Sequence, residues 1–157
     1  MLKRTPLYDV HAGLGARLID FGGWEMPVQY GGIVEEAKLT RSAVGLFDIG
    51  HMGRLELTGP DQVKAVDWVM SCNVEKLGLH RVKYGLLLNE QGTCIDDVLV
   101  YRDEDRVHLV VNAGNRDRDA AHVRAQVAAK GFDCRVLDAA DPDEPHKDEL
   151  YLGATQH

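Results

Sequence analysis

The hydrophobic and polar residues of this chain alternate with two periods, and these periods predict where its strands and helices lie. After Gly53, Leu55 and Leu57 alternate with polar neighbours, which is the period of a half-buried strand. Between residues 33 and 44 the apolar positions recur near helical spacing, and Gly45 follows where a helix commonly ends. The pattern therefore predicts a helix before residue 45 and a strand from residue 53.

The remaining elements follow from the same two periods and from the turn residues between them. Further helices are predicted at 6–12, after Gly59-Pro60-Asp61 and at 115–130. Strands are predicted at 16–21, 84–88, 93–101, 107–112 and 132–137. Turns are predicted at 22–27 and 89–92. From residue 53 the order is β-α-β-β-β-α-β. This mixture of hairpins and crossovers predicts the α+β class, with a mostly antiparallel sheet and helices packed on it.

Composition divides the chain into three segments. We expect residues 1–52 to form an N-terminal segment and residues 53–137 to form an α+β lobe. Acidic groups and two prolines leave residues 138–149 little apolar surface to bury, and an apolar stretch resumes at Leu150-Tyr151-Leu152. Residues 138–157 are therefore expected to be an acidic linker followed by an incomplete strand.

The charge balance limits the partners that the protein can bind. The chain of 157 residues has a net charge of −7 and an isoelectric point of about 5.4, which argues against the basic surface that a nucleic acid requires. An anionic small ligand remains compatible with a local cationic site. No apolar run approaches the length of a membrane span, and residues 1–12 lack the apolar core of a signal peptide. We expect neither a nucleic-acid partner nor a membrane.

Cysteine and histidine give no sign of a metal centre. Cys72, Cys94 and Cys134 lie far apart and form no CxxC pair, which is typical of a reducing compartment and predicts a cytoplasmic protein. His51 could be a base or a ligand, but no histidine or cysteine stands at metal-binding spacing from it. A structural histidine is the favoured interpretation.

Two adjacent carboxylates, Asp96 and Asp97, lie inside a predicted strand of apolar residues, where aspartate is disfavoured. Because successive strand residues face opposite sides, the two side chains must point apart. One interpretation is an exposed aspartate beside one that caps a loop. The other is a carboxylate on a semi-apolar wall, where a raised pKa would suit it to hydrogen-bond an amine or to take its proton.

The neighbours of Asp97 favour a flat ligand. Asp97 shares its face with Ile95, Leu99 and Tyr101, which offers one polar contact on an apolar surface, as a planar heterocycle requires. Tyr84 and Asn112 begin and end the neighbouring strands and so border the same face. Asn112 could equally cap the helix that follows it.

Five segments of the chain, in order, resemble the N-terminal part of the glycine-cleavage T-proteins, the aminomethyltransferases. They are residues 4–8 (RTPLY), 20–30 (DFGGWEMPVQY), 45–53 (GLFDIGHMG), 89–101 (NEQGTCIDDVLVY) and 110–113 (VVNA). The segments span nearly all of residues 3–137. The resemblance departs at Gly50, where the family usually has serine, and at Thr93-Cys94, which replaces a glycine-apolar pair.

The resemblance implies a truncated folate-binding fold and a specific reaction. Residues 1–52 would belong to the family's first lobe and residues 53–137 to its folate-binding lobe. An aminomethyl carbon would pass from the lipoyl arm of H-protein to tetrahydrofolate, giving 5,10-methylenetetrahydrofolate and ammonia. Asp97 matches the catalytic carboxylate beside the folate amine. Met52, Tyr84, Leu99 and Asn112 match positions of the pocket wall.

Length separates the chain from the family that it resembles, whose members are more than twice as long. In the family, the acidic residue that reads the pterin and the arginines that hold the glutamate tail lie in the absent part. The alternatives are a non-catalytic folate-binding or interaction module, or a homodimer or complementary chain that completes the cavity. The related domain of an iron–sulfur maintenance protein is less similar, because its cysteine signature is absent.

Overall fold

The first unit of the structure, Met1–His51, is built on a two-stranded antiparallel sheet. The structure is a computed structural model that describes residues 1–139. The unit contains helix α1 (Tyr8–Gly13), strands β1 (Arg17–Phe21) and β2 (Trp24–Gln29), and helix α2 (Ile33–Ser42). The second unit begins at Met52. The predicted strand at Leu150-Tyr151-Leu152 and most of the predicted acidic linker lie outside the described residues.

The predicted turn over residues 22–27 is wrong beyond its first two positions. Only Gly22 and Gly23 turn the chain, with φ values of 61° and 88°, and β2 begins at Trp24. Pro27 pairs with Leu18 inside this strand. Proline is compatible with it because each strand of a two-stranded sheet has one unpaired edge, where the missing N–H is not needed.

Helix α2 ends earlier than the glycine signal predicts. Its last residue is Ser42, and Ala43 is the capping residue, so Gly45 does not cap the helix. The glycine has a different role, because a Cβ atom at Gly45 would lie 2.7 Å from Cγ2 of Thr40. The missing side chain lets the segment after the helix run back closely against its last turn.

A buried histidine ties the first unit together. His11 is 6% exposed; its Nε2 lies 2.8 Å from Oδ2 of Asp48, and its Nδ1 lies 2.7 Å from the Tyr30 hydroxyl. The Thr5 hydroxyl donates a hydrogen bond of 2.6 Å to the same Asp48 oxygen, and the Gly50 N–H donates one of 2.8 Å to Oδ1. Residues far apart in sequence therefore meet at one carboxylate.

Acid is expected to loosen the first unit through Asp48. Burial opposes the charge of Asp48, but hydrogen bonds from Thr5, His11 and Gly50 outweigh it and lower the pKa of the carboxyl. Because the folded pKa lies below that of an unfolded aspartate, this stabilisation is present above that unfolded value and is lost as the pH falls through the folded one. Unfolding monitored against pH should show the loss. Thr5→Ala should lower the free energy of unfolding by about 1 kcal/mol near neutral pH. If an Asp48→Asn chain keeps the same acid dependence of unfolding, the assignment of that dependence to Asp48 is wrong.

The second unit is a five-stranded sheet with two helices. Its elements are β3 (Gly53–Thr58), α3 (Gln62–Val69), β4 (Arg81–Leu88), β5 (Cys94–Arg102), β6 (Arg106–Val111), α4 (Arg116–Lys130) and β7 (Arg135–Asp138). The strand order is β4-β5-β6-β3-β7, and every paired neighbour runs antiparallel. This arrangement confirms the predicted α+β class and the predicted order of elements.

The core of the second unit lies along one face of the sheet, beneath α3 and α4. Its fully buried aliphatic side chains come from alternate positions of the strands and from the two helices, and they include Leu55, Leu57, Val66, Leu87, Val98, Val100, Val107, Leu109, Val111 and Val123. Strand β4 begins three residues before its predicted start. Arg81 and Val82 pair with β5 while remaining exposed, so backbone pairing rather than burial defines that end of the strand.

Candidate functional site

Strand β5 turns its two adjacent carboxylates to opposite faces of the sheet. Asp96 is 5% exposed and points with Val98 and Val100 toward the core, whereas Asp97 is exposed. Leu99 is 36% exposed and lies on the Asp97 face. The alternation of a strand therefore leaves Asp97 as the carboxylate that a ligand can reach.

Tyr84 lies beside Asp97 on the neighbouring strand. It pairs directly with Leu99, and it is 59% exposed. Desolvation, followed by the negative charge of the nearby Asp97, raises the pKa of the Tyr84 hydroxyl. The phenol therefore stays protonated near neutral pH. Tyr84, Asp97 and Leu99 together form a small surface with a ring, a carboxylate and an aliphatic side chain.

The side chain of Asn112 joins the two aspartates. Its Nδ2 lies 3.0 Å from Oδ1 of Asp96, 3.1 Å from Oδ1 of Asp97 and 3.1 Å from the Asp97 carbonyl oxygen. The capping residue of α4 is Asn115, so the interpretation of Asn112 as a helix cap is wrong. The amide lies just after β6 because the strand ends at Val111. It holds Asp97 from behind and leaves the outer side of the carboxylate open.

Met52 stands at the same end of the sheet as Asn112. Gly53, the first residue of β3, pairs with Val111, the last residue of β6, so the residues just beyond them, Met52 and Asn112, are neighbours in the register. Met52 is half-buried. The sheet thus brings four of the five predicted site residues, Tyr84, Asp97, Leu99 and Asn112, to one connected surface and sets Met52 next to Asn112.

A third carboxyl group, that of Asp119, was not predicted from the sequence. Asp119 lies on α4 with its side chain fully buried, next to Asp96. Burial and then the neighbouring Asp96 raise the pKa of Asp119 to about 7. The signal was present in the sequence, because Asp119 falls four residues before Val123 and eight before Val127, on the buried stripe of the helix.

The other half of this buried pair is ionised. Burial opposes the charge of Asp96, but the adjacent Asp119 carboxyl and the hydrogen bonds that Asn112 and Asn115 donate outweigh burial and lower the pKa of Asp96. Because the pKa of Asp119 is raised in the folded protein, this carboxyl stabilises the fold fully below the ordinary aspartate pKa of 3.8. That stabilisation is lost as the pH rises to about 7. The sequence predicts a carboxyl of raised pKa on the strand, whereas the structure has it at Asp119, on helix α4.

His51 belongs to the first unit and is part of an aromatic cluster. Its ring meets the rings of Phe21 and Trp24 edge-on, with centroids 5.9 Å and 6.4 Å away. Burial, only partly offset by the charge of Asp48, lowers the pKa of His51, and its Nδ1 has no hydrogen-bond partner among residues 1–139. These contacts favour the structural interpretation of His51.

Residues 1–139 contain neither a candidate metal site nor a helix that could span a membrane. No group of three histidine, cysteine, aspartate or glutamate side chains is placed to hold a metal ion. No helix in this part of the chain is both long enough and apolar enough to cross a membrane.

Comparison with known proteins gives consistent matches. The family profile described as the GCVT N-terminal domain matches residues 7–142. The chain is 52% identical over 119 residues to an aminomethyltransferase of Symbiobacterium thermophilum, which covers 75% of this chain and 32% of that protein. It is 42% identical over 141 residues to an aminomethyltransferase of Thermus thermophilus, with 89% and 40% covered.

A solved structure has the same fold. The crystal structure of the glycine cleavage system aminomethyltransferase T from Bartonella henselae matches with a TM-score of 0.83 and 36% identity, covering 88% of this chain and 38% of that one. The chain therefore spans between 32% and 40% of the length of these relatives. The matched fold, the family profile and the identities agree: the chain belongs to the GCVT N-terminal domain family, that of the glycine-cleavage aminomethyltransferases.

Proposed function

We propose that this chain carries the folate-orienting part of a tetrahydrofolate-dependent aminomethyltransferase, with Asp97 as its catalytic carboxylate. The observation that carries the proposal is an exposed carboxylate held from behind by Asn112 and flanked by Tyr84 and Leu99. Such a group can accept a hydrogen bond from a ligand amine in a fixed direction. The family membership supports folate as that ligand.

The proposed chemistry requires a positioned acceptor rather than a nucleophile. The amine of tetrahydrofolate attacks the methylene carbon of the aminomethyl group on the lipoyl arm of H-protein. As the carbon–nitrogen bond forms, the amine must lose its proton, and we propose that Asp97 accepts it. Ammonia leaves, the lipoyl sulfur is released as a thiol, and a second folate nitrogen closes the methylene bridge. Orientation of the two reactants accounts for much of the rate.

The pterin ring would lie flat on the exposed side chains beside Asp97. Tyr84 and Leu99 are paired across β4 and β5 and expose 59% and 36% of their surface. An aromatic ring and an aliphatic side chain form the flat apolar surface that a planar heterocycle needs. Met52 and Asn112 would close the end of this surface where β3 and β6 meet.

The first unit offers a surface for a second polypeptide. Helix α2 buries none of its residues, and several of the large apolar side chains around it are more than half exposed: Ile33, Val34, Leu39, Val44, Leu46 and Phe47. A second copy of the chain or a complementary chain is proposed to cover them. Lipoylated H-protein is proposed as the donor of the aminomethyl group.

Titration of the chain with tetrahydrofolate, followed by addition of aminomethyl-loaded H-protein, tests the proposal. Saturable binding and formation of methylenetetrahydrofolate are expected. Binding without transfer would favour the alternative, a folate-binding module that lacks the chemistry. Absence of binding would deny the isolated chain a folate role.

A further inference from the structure

We propose that Asp119 is a positioning residue: its carboxyl carries a proton, donates it in a hydrogen bond to Asp96, and thereby fixes the Asn112 amide that holds Asp97. The part of this inference that concerns catalysis rests on the proposed function, because it needs Asp97 to be the group that meets the folate amine. The proton shared by Asp96 and Asp119 does not depend on folate and can be tested without it.

The Asp119 carboxyl is buried away from hydrogen-bond donors. Its side chain is 0% exposed, and within residues 1–139 no donor reaches either of its carboxyl oxygens. The charged groups that face it are Asp96 on β5 and Arg118 on its own helix. Nε of Arg118 lies 3.6 Å from Oδ1 of Asp119, which is too long for a hydrogen bond, and the other end of the guanidinium donates to the Ile95 carbonyl. An ionised carboxylate without donors is strongly disfavoured in such a place.

Asp96, in contrast, is surrounded by hydrogen-bond donors. Oδ1 of Asp96 accepts hydrogen bonds from Nδ2 of Asn115 at 2.8 Å and from Nδ2 of Asn112 at 3.0 Å, and Oδ2 accepts one from the Asn112 backbone N–H at 3.2 Å. These donors favour the ionised form of Asp96. Two adjacent carboxyls, one surrounded by donors and one without any, share a single proton that resides on the second. The raised pKa of Asp119 and the lowered pKa of Asp96 agree with this arrangement.

The Asn112 amide connects this buried pair to the exposed Asp97 carboxylate. Nδ2 of Asn112 has two hydrogens but lies within 3.1 Å of three acceptors, namely one oxygen of Asp96 and two oxygens of Asp97. Protonated Asp119 supplies Asp96 with an additional donor. When Asp119 loses its proton, Asp96 loses that donor and faces a second negative charge. It then competes more strongly for the Asn112 amide, or moves away from Asp119, and the hydrogen bond to Asp97 changes in either case.

Nuclear magnetic resonance of the full chain tests the shared proton directly. The Asn112 side-chain amide and the Asp97 carboxyl carbon are followed from about pH 5 to about pH 9, a range that spans the expected transition. In the wild-type chain both signals should show a step with a midpoint near pH 7. In Asp119→Asn the step should vanish, because an amide can donate to Asp96 but does not titrate in this range.

Asp117→Asn is the matched control, since it makes the same substitution at an exposed position on the same helix. It should retain the step. A wild-type chain without a step near pH 7, or a step that persists unchanged in Asp119→Asn, would overturn the proposal. The wild-type titration needs no substitution, so a variant that fails to fold does not remove the test.

Folate affinity measured over the same pH range tests the positioning role. For the wild-type chain the dissociation constant should rise roughly tenfold between the acid and the alkaline side of pH 7, the effect of weakening one charge-assisted hydrogen bond. Asp119→Asn should bind with little pH dependence. An equal pH dependence in both chains would refute positioning by Asp119. If neither chain binds folate, the proposed function fails, whereas the resonance experiment still decides whether the proton is shared.

Discussion

Replacing Asp97 by asparagine is expected to lower the rate of methylene transfer by roughly 10²–10⁴-fold, which is the usual contribution of a positioned acid or base. The amide retains the size of the carboxylate but cannot take a proton from the folate amine. Because Asp97 is exposed, its replacement should leave the fold intact. The measurement is a single turnover of tetrahydrofolate with aminomethyl-loaded H-protein, alongside the thermal unfolding of each chain.

Glu90→Gln is the control for the Asp97 substitution. Glu90 is an exposed acid in the turn that joins β4 and β5, so its replacement removes one negative charge from the same hairpin. Its transfer rate should match that of the wild-type chain. A transfer rate for Asp97→Asn equal to that of Glu90→Gln would contradict the assignment of Asp97 as the catalytic carboxylate.

Replacing Leu109 by alanine is expected to reduce the free energy of unfolding by about 2–5 kcal/mol. Leu109 is 0% exposed on β6, which lies inside the sheet between β5 and β3. The substitution removes apolar contacts from the centre of the core and leaves a cavity that strands paired on both sides cannot easily close. Denaturant unfolding of the two chains measures the difference, read as a change of midpoint at constant slope.

Leu79→Ala makes the same chemical change at a position that is 49% exposed. It should alter the free energy of unfolding by much less than the core substitution, since surface changes usually lie within about 0.5 kcal/mol. Similar losses in the two variants would mean that the sheet interior around Leu109 is not the main source of stability.

The fold of the second unit could be predicted from the sequence because local pattern and final burial agree there. Leu55 and Leu57 alternate with polar residues on β3, and both are fully buried. Strand β2 was missed for the opposite reason. Two glycines precede it and Pro27 lies within it, and its extended form is evident only from its pairing with β1. That pairing depends on a partner strand rather than on the segment itself.

One part of the site could be predicted from the sequence, because side chains along a strand alternate between its two faces. A strand that contains Asp96 and Asp97 must turn one of them outward, and family resemblance singled out Asp97, which is the exposed one. The bridge from Asn112 could not be predicted, because it joins residues 15 and 16 positions apart through a register that the sequence does not specify. Asp119 was missed because a polar residue on a helix is usually exposed, and here it occupies the buried stripe.

The contact between Asp97 and the folate amine is the centre of this account, and the resonance of that amine tests it most directly. Tetrahydrofolate labelled with ¹⁵N at the reacting amine is bound to the wild-type chain and to Asp97→Asn. We predict that the nitrogen resonance shifts on binding to the wild-type chain and that most of this shift is absent with Asp97→Asn, while the protons of the pterin ring shift similarly with both. An identical nitrogen shift with the two chains would contradict the account, because the carboxylate would then not meet the amine.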